Sequence, residues 1–357
     1  MLAEKIKRVQ SLLKEQKLDA LIAGNFGQQI SDDLLYYLLL KKLELGLLYI
    51  PTRGKATLFA ISFEVTQLKR EYPELKILPY NESPDKLIKT VIASNKVKMG
   101  FRNSALPVEI KNLCSKIKGI CFSTFYNDEK LFALKSPREI QLLREACRVT
   151  DRLFKELTNT WKQFKTESEA AQFLLKRMID YGVEPSFPPI IASGAHAADP
   201  HYGYSKSPIQ KGFCVIDMGV RYQGYCSDMT RSIYVGKPNE KELNLYAILA
   251  NAQKQSIDAV CPGANIKQID EQCRETLGRE LNELFIHSLG HGLGTQVHEW
   301  PRVASNDIIA EEGMVITIEP GLYKKGAYGM RIEDDILVRK TGQEALSKSP
   351  RELLVIA

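Results

Sequence analysis

The second half of the chain places acidic side chains inside segments that otherwise have the composition of buried strands. These segments are VIDMGV around Asp217, YCSDMTRS around Asp228, VITIEPG around Glu319 and MRIEDD around Glu333. A carboxylate among Ile, Val and Met side chains is costly to bury unless another group compensates its charge. Because acids on neighbouring strands also repel one another, a fold that buries all four requires cations between them.

The alternation of side chains along a strand predicts which residues of these segments share a face. The predicted sets are Cys226, Asp228 and Thr230, then Val315, Thr317 and Glu319, and finally Arg331, Glu333 and Asp335. Together with the imidazole of His291 in HSLGHGLG, the four carboxylates form a donor set that suits a pair of divalent ions. Taken singly, each acid is equally well explained by a turn, a cap or a strand end that faces water.

All five histidines of the chain lie between residues 196 and 298. His287 and His291 are four residues apart and have glycines nearby, which allow another backbone or a ligand to approach closely. His201 and His298 lie in separate segments, and each could donate a hydrogen bond to a developing oxyanion. We interpret His196 as a residue without a role in the chemistry.

Other catalytic classes lack their signatures in this sequence. The chain contains no GxSxG, no P-loop and no GxGxxG after a predicted strand, and HSLGHG differs from the HExxH of helix-borne zinc sites. Its seven cysteines are an odd number without a CxxC pair. This pattern favours reduced thiols and a cytoplasmic protein over a disulfide framework or a zinc ribbon.

Charge and hydropathy argue against nucleic-acid and membrane partners. Residues 1–128 carry 20 Lys and Arg against 13 Asp and Glu, but these lysines are scattered and have no aromatic platform beside them. A solvated surface is therefore favoured over a nucleic-acid interface. The apolar runs are too short to span a bilayer, and the charged N-terminal segment is expected to form an amphipathic helix and not a signal peptide.

The length of 357 residues and a change of pattern near residue 128 predict two domains. In residues 1–128, strand signals alternate with helix signals, which is typical of a small α/β domain. The predicted strands are 19–25, 45–51, 55–61, 96–101 and 118–124, and the predicted helices are 64–72 and 82–94.

Residues 129–357 begin with helical patterns and continue with strands that Gly and Pro interrupt. A long helix is predicted after Ser136-Pro137, with Ser136 and Glu139 as a capping box. Further helices are predicted at 166–181, 239–260 and 266–279. A hairpin is predicted to turn at Tyr222-Gln223-Gly224.

The order of these motifs resembles that of the pita-bread metallopeptidases, and in particular their Xaa-Pro branch, which contains aminopeptidase P and prolidase. The matching motifs are Asp217 and Asp228 with ten residues between them, HSLGHGLGTQVHEWP, TIEPGLY and RIEDD. SGAHAADPHYG is similar to the family's SGxNAAxPHY, with His196 where Asn is common. The resemblance implies an α/β (α+β) chain. A creatinase/prolidase-like N-terminal domain (1–128) would precede a pita-bread catalytic domain (129–357), in which helices cover a curved antiparallel sheet.

The resemblance also implies a role for each site residue. Asp217, Asp228, His291, Glu319 and Glu333 would hold two divalent ions, Mn(II) in the first place, with Co(II) or Zn(II) as alternatives. A hydroxide that bridges the ions would attack the carbonyl before proline, with Glu319 as general base and with His201 and His298 as further catalytic residues. His287, Arg331 and Tyr202 would bind the substrate.

The implied function is that of an Xaa-Pro aminopeptidase, which acts on small peptides with proline at the second position. The family further implies a homodimer. A prolidase restricted to Xaa-Pro dipeptides is the first alternative. Methionine aminopeptidase activity and a catalytically inactive pita-bread binding protein are further alternatives. The additional N-terminal domain and the DPHYG segment argue against the former, and the complete ligand set argues against the latter.

Overall fold

The computed structural model describes residues 1–27, 32–92, 96–102, 108–304 and 307–356, without the side chains of residues 108–110 and 113. These residues form two compact units, Met1–Leu131 and Phe132–Ala357. No helix in the described ranges has the length and the apolar character that crossing a membrane requires.

The first unit contains a mixed six-stranded sheet with helices between its strands. The strands are β1 (Ala20–Phe26), β2 (Leu45–Pro51), β3 (Thr57–Ala60), β4 (Lys76–Pro79), β5 (Val97–Phe101) and β6 (Ile120–Thr124), in the order β4-β3-β2-β1-β5-β6. The helices are α1 (Leu2–Glu15), α2 (Asp33–Leu39), α3 (Val65–Glu71), α4 (Pro84–Lys89) and α5 (Val108–Ser115), and α6 (Glu129–Ala133) contains the division between the units. Antiparallel pairs join β1 to β2 and β2 to β3, and the other pairs are parallel.

The five strands predicted in this unit are confirmed, as are the N-terminal helix and the helix over 64–72. The helix predicted over 82–94 is shorter and ends at Lys89, and residues 93 and 94 lie outside the described residues. Helix α2 was not predicted. Its side chains are buried on all sides, so its sequence has no amphipathic period, but Asp32 caps it by accepting hydrogen bonds from the N–H groups of Leu34 and Leu35.

The second unit combines four long helices with antiparallel sheets. The helices are α7 (Pro137–Thr160), α8 (Glu167–Asp180), α9 (Glu240–Asp258) and α10 (Ile266–Asn282). The strands are β7 (Glu184–Pro185), β8 (Ile190–Ser193), β9 (Gly212–Met218), β10 (Val220–Tyr222), β11 (Tyr225–Cys226), β12 (Met229–Val235), β13 (Gly290–Gly292), β14 (Glu299–Val303), β15 (Val315–Ile318), β16 (Gly321–Lys324), β17 (Tyr328–Arg331), β18 (Asp334–Val338), β19 (Gln343–Ala345) and β20 (Leu354–Ile356).

These strands form four sheets. Their orders are β11-β10-β7, β20-β12-β9-β8, β14-β13-β15-β18-β19 and β16-β17. All pairs are antiparallel except β12 with β20. The predicted hairpin is confirmed, because Tyr222 pairs with Tyr225 and the two residues between them have φ angles of 46° and 89°. Positive φ at both central positions suits the right-handed twist of the flanking strands.

Each pair of long helices covers one of the two larger sheets. Apolar residues of α7 and α8 pack against β8, β9 and β12. Those of α9 and α10 pack against β15, β16, β17 and β18. Helix α7 begins with the predicted capping box, since Ser136 accepts from the N–H of Glu139 and Glu139 accepts from that of Ser136. The predicted fold class, an α/β unit followed by antiparallel sheets covered by helices, is confirmed.

Candidate metal centre

The five predicted ligand residues lie on strands of the second unit or directly beside them. Asp217 is on β9, where it pairs with Thr230 of β12, and Asp228 immediately precedes β12. Glu319 follows β15, Glu333 lies between β17 and β18, and His291 is the central residue of β13. Alternation along β9 turns Ile216 and Met218 towards the helices α7 and α8, and leaves Asp217 facing the other way.

The structure brings these residues together. Asp228, His291 and Glu333 each offer one ligand atom within 4.8 Å of the others. Nε2 of His291 lies 3.3 Å from Oε1 of Glu319 and 3.7 Å from Oδ2 of Asp228. Thr230 connects further members, because its hydroxyl donates to Oε2 of Glu333 at 2.6 Å. Glu333 also lies beside Asp228, and Nε of Arg331 donates to the same Thr230 hydroxyl at 2.9 Å. These contacts confirm the predicted common faces of Asp228 with Thr230 and of Arg331 with Glu333.

The strand that carries His291 comes very close to its neighbour. A Cβ atom at Gly290 would lie 2.0 Å from the carbonyl oxygen of Thr317, so this approach requires glycine. At this close approach, the backbone N–H of His291 donates to the Thr317 hydroxyl at 3.0 Å, and that hydroxyl donates to Oε1 of Glu319. The glycines of HSLGHG thus place the imidazole beside the acids.

Several carboxylate oxygens of the site are buried and have no hydrogen-bond partner among the described residues. They are Oδ1 of Asp217, Oδ1 of Asp228, Oε1 of Glu333 and Oδ1 of Asp335. In each case the second oxygen of the same group has a hydrogen bond or lies in an ion pair. An acceptor buried without a partner costs free energy, so this pattern fits oxygens that coordinate a cation.

In the absence of a metal ion, burial raises the pKa of each of these acids and so favours its neutral form. Burial, followed by repulsion from Glu333 and Asp217, raises the pKa of Asp228 well above its usual range. Burial and repulsion from Glu319 do the same to the pKa of Glu333. Burial raises the pKa of Glu319 to about 8. For Asp217, burial raises the pKa although the charge of Arg331 opposes the shift.

The protonation state of the His291 imidazole suits a metal ligand. Burial, and then repulsion from His298, lower its pKa to about 3, so the ring is neutral across the physiological range. Its Nδ1 lies 3.1 Å from the carbonyl oxygen of Gly292, which can only accept a hydrogen bond. Nδ1 therefore carries the proton, and the lone pair of Nε2 faces the carboxylates.

A chain of hydrogen bonds leads away from Asp217. Nη2 of Arg331 donates to Oδ2 of Asp217 at 2.6 Å, and Nη1 donates to the hydroxyl of Tyr323 at 2.7 Å. The Tyr323 hydroxyl lies 3.1 Å from Nε2 of His287, whose Nδ1 lies 2.8 Å from the carbonyl oxygen of Ser288. His287 therefore carries its proton on Nδ1 and accepts from Tyr323. Burial lowers its pKa to about 4.

A cavity of about 720 Å³ opens in front of these residues. The five predicted ligand residues line it, together with His201, His287, His298, Arg331 and Phe187. The ring of His298 lies 4.4 Å from that of His291. Tyr202, predicted to bind substrate, is not among the described residues that line this cavity, and it stacks on His196 at 4.4 Å. His196 in turn lies 2.9 Å from the buried carboxylate of Glu167.

Three further polar residues that the sequence did not identify line the cavity, namely Ser288, Glu299 and Arg302. Arg302 is on β14, directly opposite His291 of β13. Its guanidinium makes no hydrogen bond or ion pair with the rest of the described residues. An arginine in PRV has no sequence context that distinguishes it from a surface residue. Only the pairing of β13 with β14 brings it to the site.

The donor set fits hard or borderline divalent ions. Four carboxylates and one imidazole supply the oxygen and nitrogen ligands that Mn²⁺, Co²⁺ or Zn²⁺ accept, without a thiolate. The clustering of acids whose pKa values are raised by burial also fits, because bound cations would favour the charged form of these carboxylates. We therefore conclude that the residues present suit divalent metal ions.

Comparisons with known proteins agree with this geometry. Residues 141–340 match metallopeptidase family M24, and residues 5–126 match the creatinase/prolidase N-terminal domain. An Xaa-Pro dipeptidase of Pyrococcus furiosus is 32% identical over 86% of this chain and 88% of that protein. One from Pyrococcus horikoshii is 39% identical, over 62% of this chain and 64% of that protein, so this match spans just under two thirds of the relative.

Solved structures show the same similarity. An Xaa-Pro dipeptidase from Bacillus anthracis superposes with a TM-score of 0.90 at 30% identity, over 100% of both chains. An X-Pro aminopeptidase from Thermotoga maritima superposes with a TM-score of 0.87 at 27% identity, over 97% of this chain and 100% of that one. The resemblance indicated by the motifs is confirmed, and the chain belongs to metallopeptidase family M24.

Proposed function

We propose that this protein is a metal-dependent exopeptidase that hydrolyses the bond before proline, with Xaa-Pro dipeptides as its preferred substrates. The observation that carries the proposal is the convergence of Asp228, His291 and Glu333, with Asp217 and Glu319 beside them, at the end of a cavity. Membership of family M24 and similarity to proteins named Xaa-Pro dipeptidase support it.

In this proposal Asp217, Asp228, His291, Glu319 and Glu333 hold two divalent ions, with Mn(II) as the first choice and Co(II) or Zn(II) as alternatives. When bound, such ions polarise a carbonyl group and make a nearby water more acidic. The unpartnered oxygens of Asp217, Asp228 and Glu333 are the atoms available for them.

Glu319 is the proposed general base. Burial already raises its pKa to about 8, which shows that its surroundings favour a protonated carboxyl. A carboxylate in such a place can accept a proton from the attacking water and pass it to the leaving nitrogen of proline. The Thr317 hydroxyl, which donates to Oε1 of Glu319 at 3.4 Å, would hold the group in place.

His298 and His201 are proposed to stabilise the oxyanion and to orient the scissile bond. Both line the cavity, and His298 lies directly against His291. Burial lowers the pKa of His298, so its ring is neutral and has one N–H to donate at neutral pH. His287 and Arg331 are proposed to bind substrate at the cavity wall, whereas Tyr202 would act on this wall only indirectly, through the turn that carries His201.

A substrate with proline after the scissile bond suits a site that supplies its own hydrogen-bond donors. An Xaa-Pro bond has no N–H, so a peptidase that requires this donor cannot bind it correctly. Phe187 and Pro188 line the cavity beside the histidines and offer apolar surface to a proline ring. This surface supports a preference for proline.

Arg302 supports a preference for dipeptides. Arg302 lines the cavity, and its guanidinium makes no ion pair with another described residue. The C-terminal carboxylate of an Xaa-Pro dipeptide follows the scissile bond directly, and arginine binds carboxylates through two parallel hydrogen bonds. We propose that Arg302 binds this carboxylate.

An Xaa-Pro aminopeptidase that accepts longer peptides is the second candidate. The cavity volume of about 720 Å³ exceeds the volume of a dipeptide, and a second cavity of about 500 Å³ adjoins it and shares His287, Ser288 and Arg302 as lining residues. Residues after proline would find room there.

We further propose that the protein is a homodimer in the cytoplasm. The seven cysteines, all of them free, support a reducing compartment. Sedimentation of the purified protein would test the dimer directly.

The deciding experiment compares hydrolysis of Ala-Pro and Ala-Pro-Ala by protein treated with EDTA, before and after addition of Mn²⁺. We expect cleavage of Ala-Pro only after Mn²⁺ is added, and slower cleavage of Ala-Pro-Ala. Faster cleavage of the tripeptide would favour the aminopeptidase. If neither peptide is cleaved by the Mn²⁺-loaded protein, the specificity for proline is wrong, and peptides with N-terminal methionine become the next substrates to assay.

A further inference from the structure

Helix α7 contacts the segment around Asp228 and its neighbours through buried side chains. Three of its buried side chains make hydrogen bonds to residues 225–227 or to Asp335 of β18. The bonds join Cys147 to Asp335 (3.2 Å), Thr150 to Ser227 (2.7 Å) and Glu139 to Tyr225 (2.8 Å). None of the three α7 residues is among the described residues that line the cavity.

Asp335 joins α7 to the backbone of a proposed ligand. Its Oδ2 accepts two hydrogen bonds, one from the thiol of Cys147 and one from the backbone N–H of Asp228 at 3.0 Å. Its other oxygen, Oδ1, has no partner in the described part of the chain. Asp335 also pairs with Thr317 of β15 and lies two residues after Glu333. One carboxylate therefore joins the segments that carry Asp228 and Glu333.

The direction of the hydrogen bond from Cys147 follows from its surroundings. Burial raises the pKa of this thiol well above its usual value, so the sulfur keeps its proton. A protonated thiol donates, and Oδ2 of Asp335 has a second lone pair available beside the one that Asp228 uses. Without the thiol, Oδ2 would keep a single donor, and the carboxylate could rotate away from Asp228.

We propose that Cys147 is a positioning residue of the metal centre, which acts through Asp335 to fix the backbone of Asp228. Thr150 supports the same segment at Ser227, one residue earlier. The inference rests on the proposed function in so far as Asp228 is a metal ligand. Partners of this kind, one step removed from the ligands, typically change metal affinity or activity by about 10- to 100-fold when removed.

The test measures Mn²⁺ binding to the full-length metal-free protein by titration calorimetry, and the visible absorption spectrum of the Co²⁺-loaded protein. The variants are Cys147→Ala, Cys147→Ser and Thr150→Val. Cys273→Ala is the matched control, because Cys273 is also a fully buried thiol in a long helix, α10, and packs in the apolar cluster between α9, α10 and strands β15 to β18.

We expect Cys147→Ala to weaken Mn²⁺ binding about tenfold and to change the Co²⁺ spectrum. Cys147→Ser keeps a donor and should recover part of the affinity. Cys273→Ala should lower the unfolding temperature of the metal-free protein about as much as Cys147→Ala, without an effect on either metal measurement. Thr150→Val, which keeps the shape of the side chain, should also weaken Mn²⁺ binding and provides the test if Cys147→Ala fails to fold.

Unchanged Mn²⁺ affinity in Cys147→Ala, an equal loss in Cys273→Ala, or no recovery in Cys147→Ser would each overturn the proposal. Absence of Mn²⁺ binding by the wild-type protein would overturn it as well. The measurement does not depend on peptide hydrolysis. If the wild-type protein binds Mn²⁺ but cleaves no Xaa-Pro peptide, the proposed function fails and the role of Cys147 is still decided by its variants.

Discussion

The guanidinium of Arg331 holds one oxygen of Asp217 and leaves the other available. Nη2 lies 2.6 Å from Oδ2, whereas Oδ1 is buried and has no partner among the described residues. The positive charge of Arg331 opposes the effect of burial on the pKa of Asp217. The arginine thus favours an ionised carboxylate and fixes the direction in which its second oxygen points.

Replacing Tyr323 by phenylalanine should lower kcat/KM for Xaa-Pro dipeptides while leaving the fold intact. The hydroxyl accepts from Arg331 at 2.7 Å and lies 3.1 Å from Nε2 of His287, so its loss frees both side chains. We expect a loss of about tenfold, comparable to the loss of one hydrogen bond to a charged group. Steady-state kinetics will measure it. Unchanged kinetics would show that the connection between Arg331 and His287 has no role in catalysis.

Replacing Asp228 by asparagine should abolish hydrolysis and, at the same time, stabilise the metal-free protein near neutral pH. The variant removes a proposed ligand, but it also removes an acid whose pKa is raised far by burial and by repulsion from Glu333. Thermal unfolding with EDTA and with Mn²⁺ will measure both effects. Asp258→Asn, which changes an exposed residue paired with Lys254, is the control for net charge.

The stability of the metal-free protein should fall as the pH rises from about 6.5 to 8. In this interval an acid with a raised pKa, such as Glu319 at about 8, keeps its proton in the folded state and loses it on unfolding. The folded state therefore binds more protons than the unfolded state. Its stability falls with rising pH until the pH has passed the raised pKa.

The histidines do not cancel this effect in the same interval. The usual pKa of histidine is 6.5, and burial lowers that of His291 to about 3, so above pH 6.5 this ring is largely neutral in both the folded and the unfolded states. Unfolding temperatures in EDTA at several pH values will test the prediction. A stability that rises over this interval would contradict it, and saturating Mn²⁺ should flatten the curve.

Replacing Arg302 by alanine should raise KM for Ala-Pro about tenfold, the loss expected for one hydrogen bond between charged groups. The effect on kcat should be smaller, because the carboxylate is bound equally before and during the reaction. Ala-Pro amide, which lacks the carboxylate, is the control substrate and should be cleaved equally by both proteins. An equal increase in KM for the amide would indicate a role other than carboxylate binding.

Replacing Ser136 by alanine should destabilise the second unit by about 1 kcal/mol, as expected for the loss of an N-cap. Ser136 is buried and accepts from the N–H of Glu139 at the start of α7. Urea unfolding will measure the change, and Ser136→Thr, which keeps the acceptor, should retain most of the stability. An alanine variant as stable as the wild type would show that the Glu139 side chain alone caps the helix.

Some features could be predicted from the sequence because local rules determine them. Alternation along a strand correctly predicted that Arg331 and Glu333 share a face, and both side chains contact the Thr230 hydroxyl. The capping box of α7 and the turn between β10 and β11 were also found from the residue types that their backbones require.

Some features that depend on distant contacts could not be derived from local rules. Strand β13 consists of Gly290, His291 and Gly292, which have no strand propensity, and it exists because β14 and β15 pair with it. The position of Arg302 in the cavity follows from the same pairing. Tyr202 illustrates the opposite case, because its motif suggested the cavity whereas its ring packs on His196.

The contacts that build the candidate metal centre join residues far apart in the chain. Arg331 and Asp217 are separated by 114 residues, Asp335 and Asp228 by 107, and Glu333 and Thr230 by 103. Closing such long loops is slow, because the entropy cost of closure arises before the contacts contribute any favourable free energy. Ions that require this geometry cannot guide the early steps of folding. Metal uptake should therefore occur late, at the rate of the slowest step in the folding of the second unit. It would indicate that folding of this unit is complete.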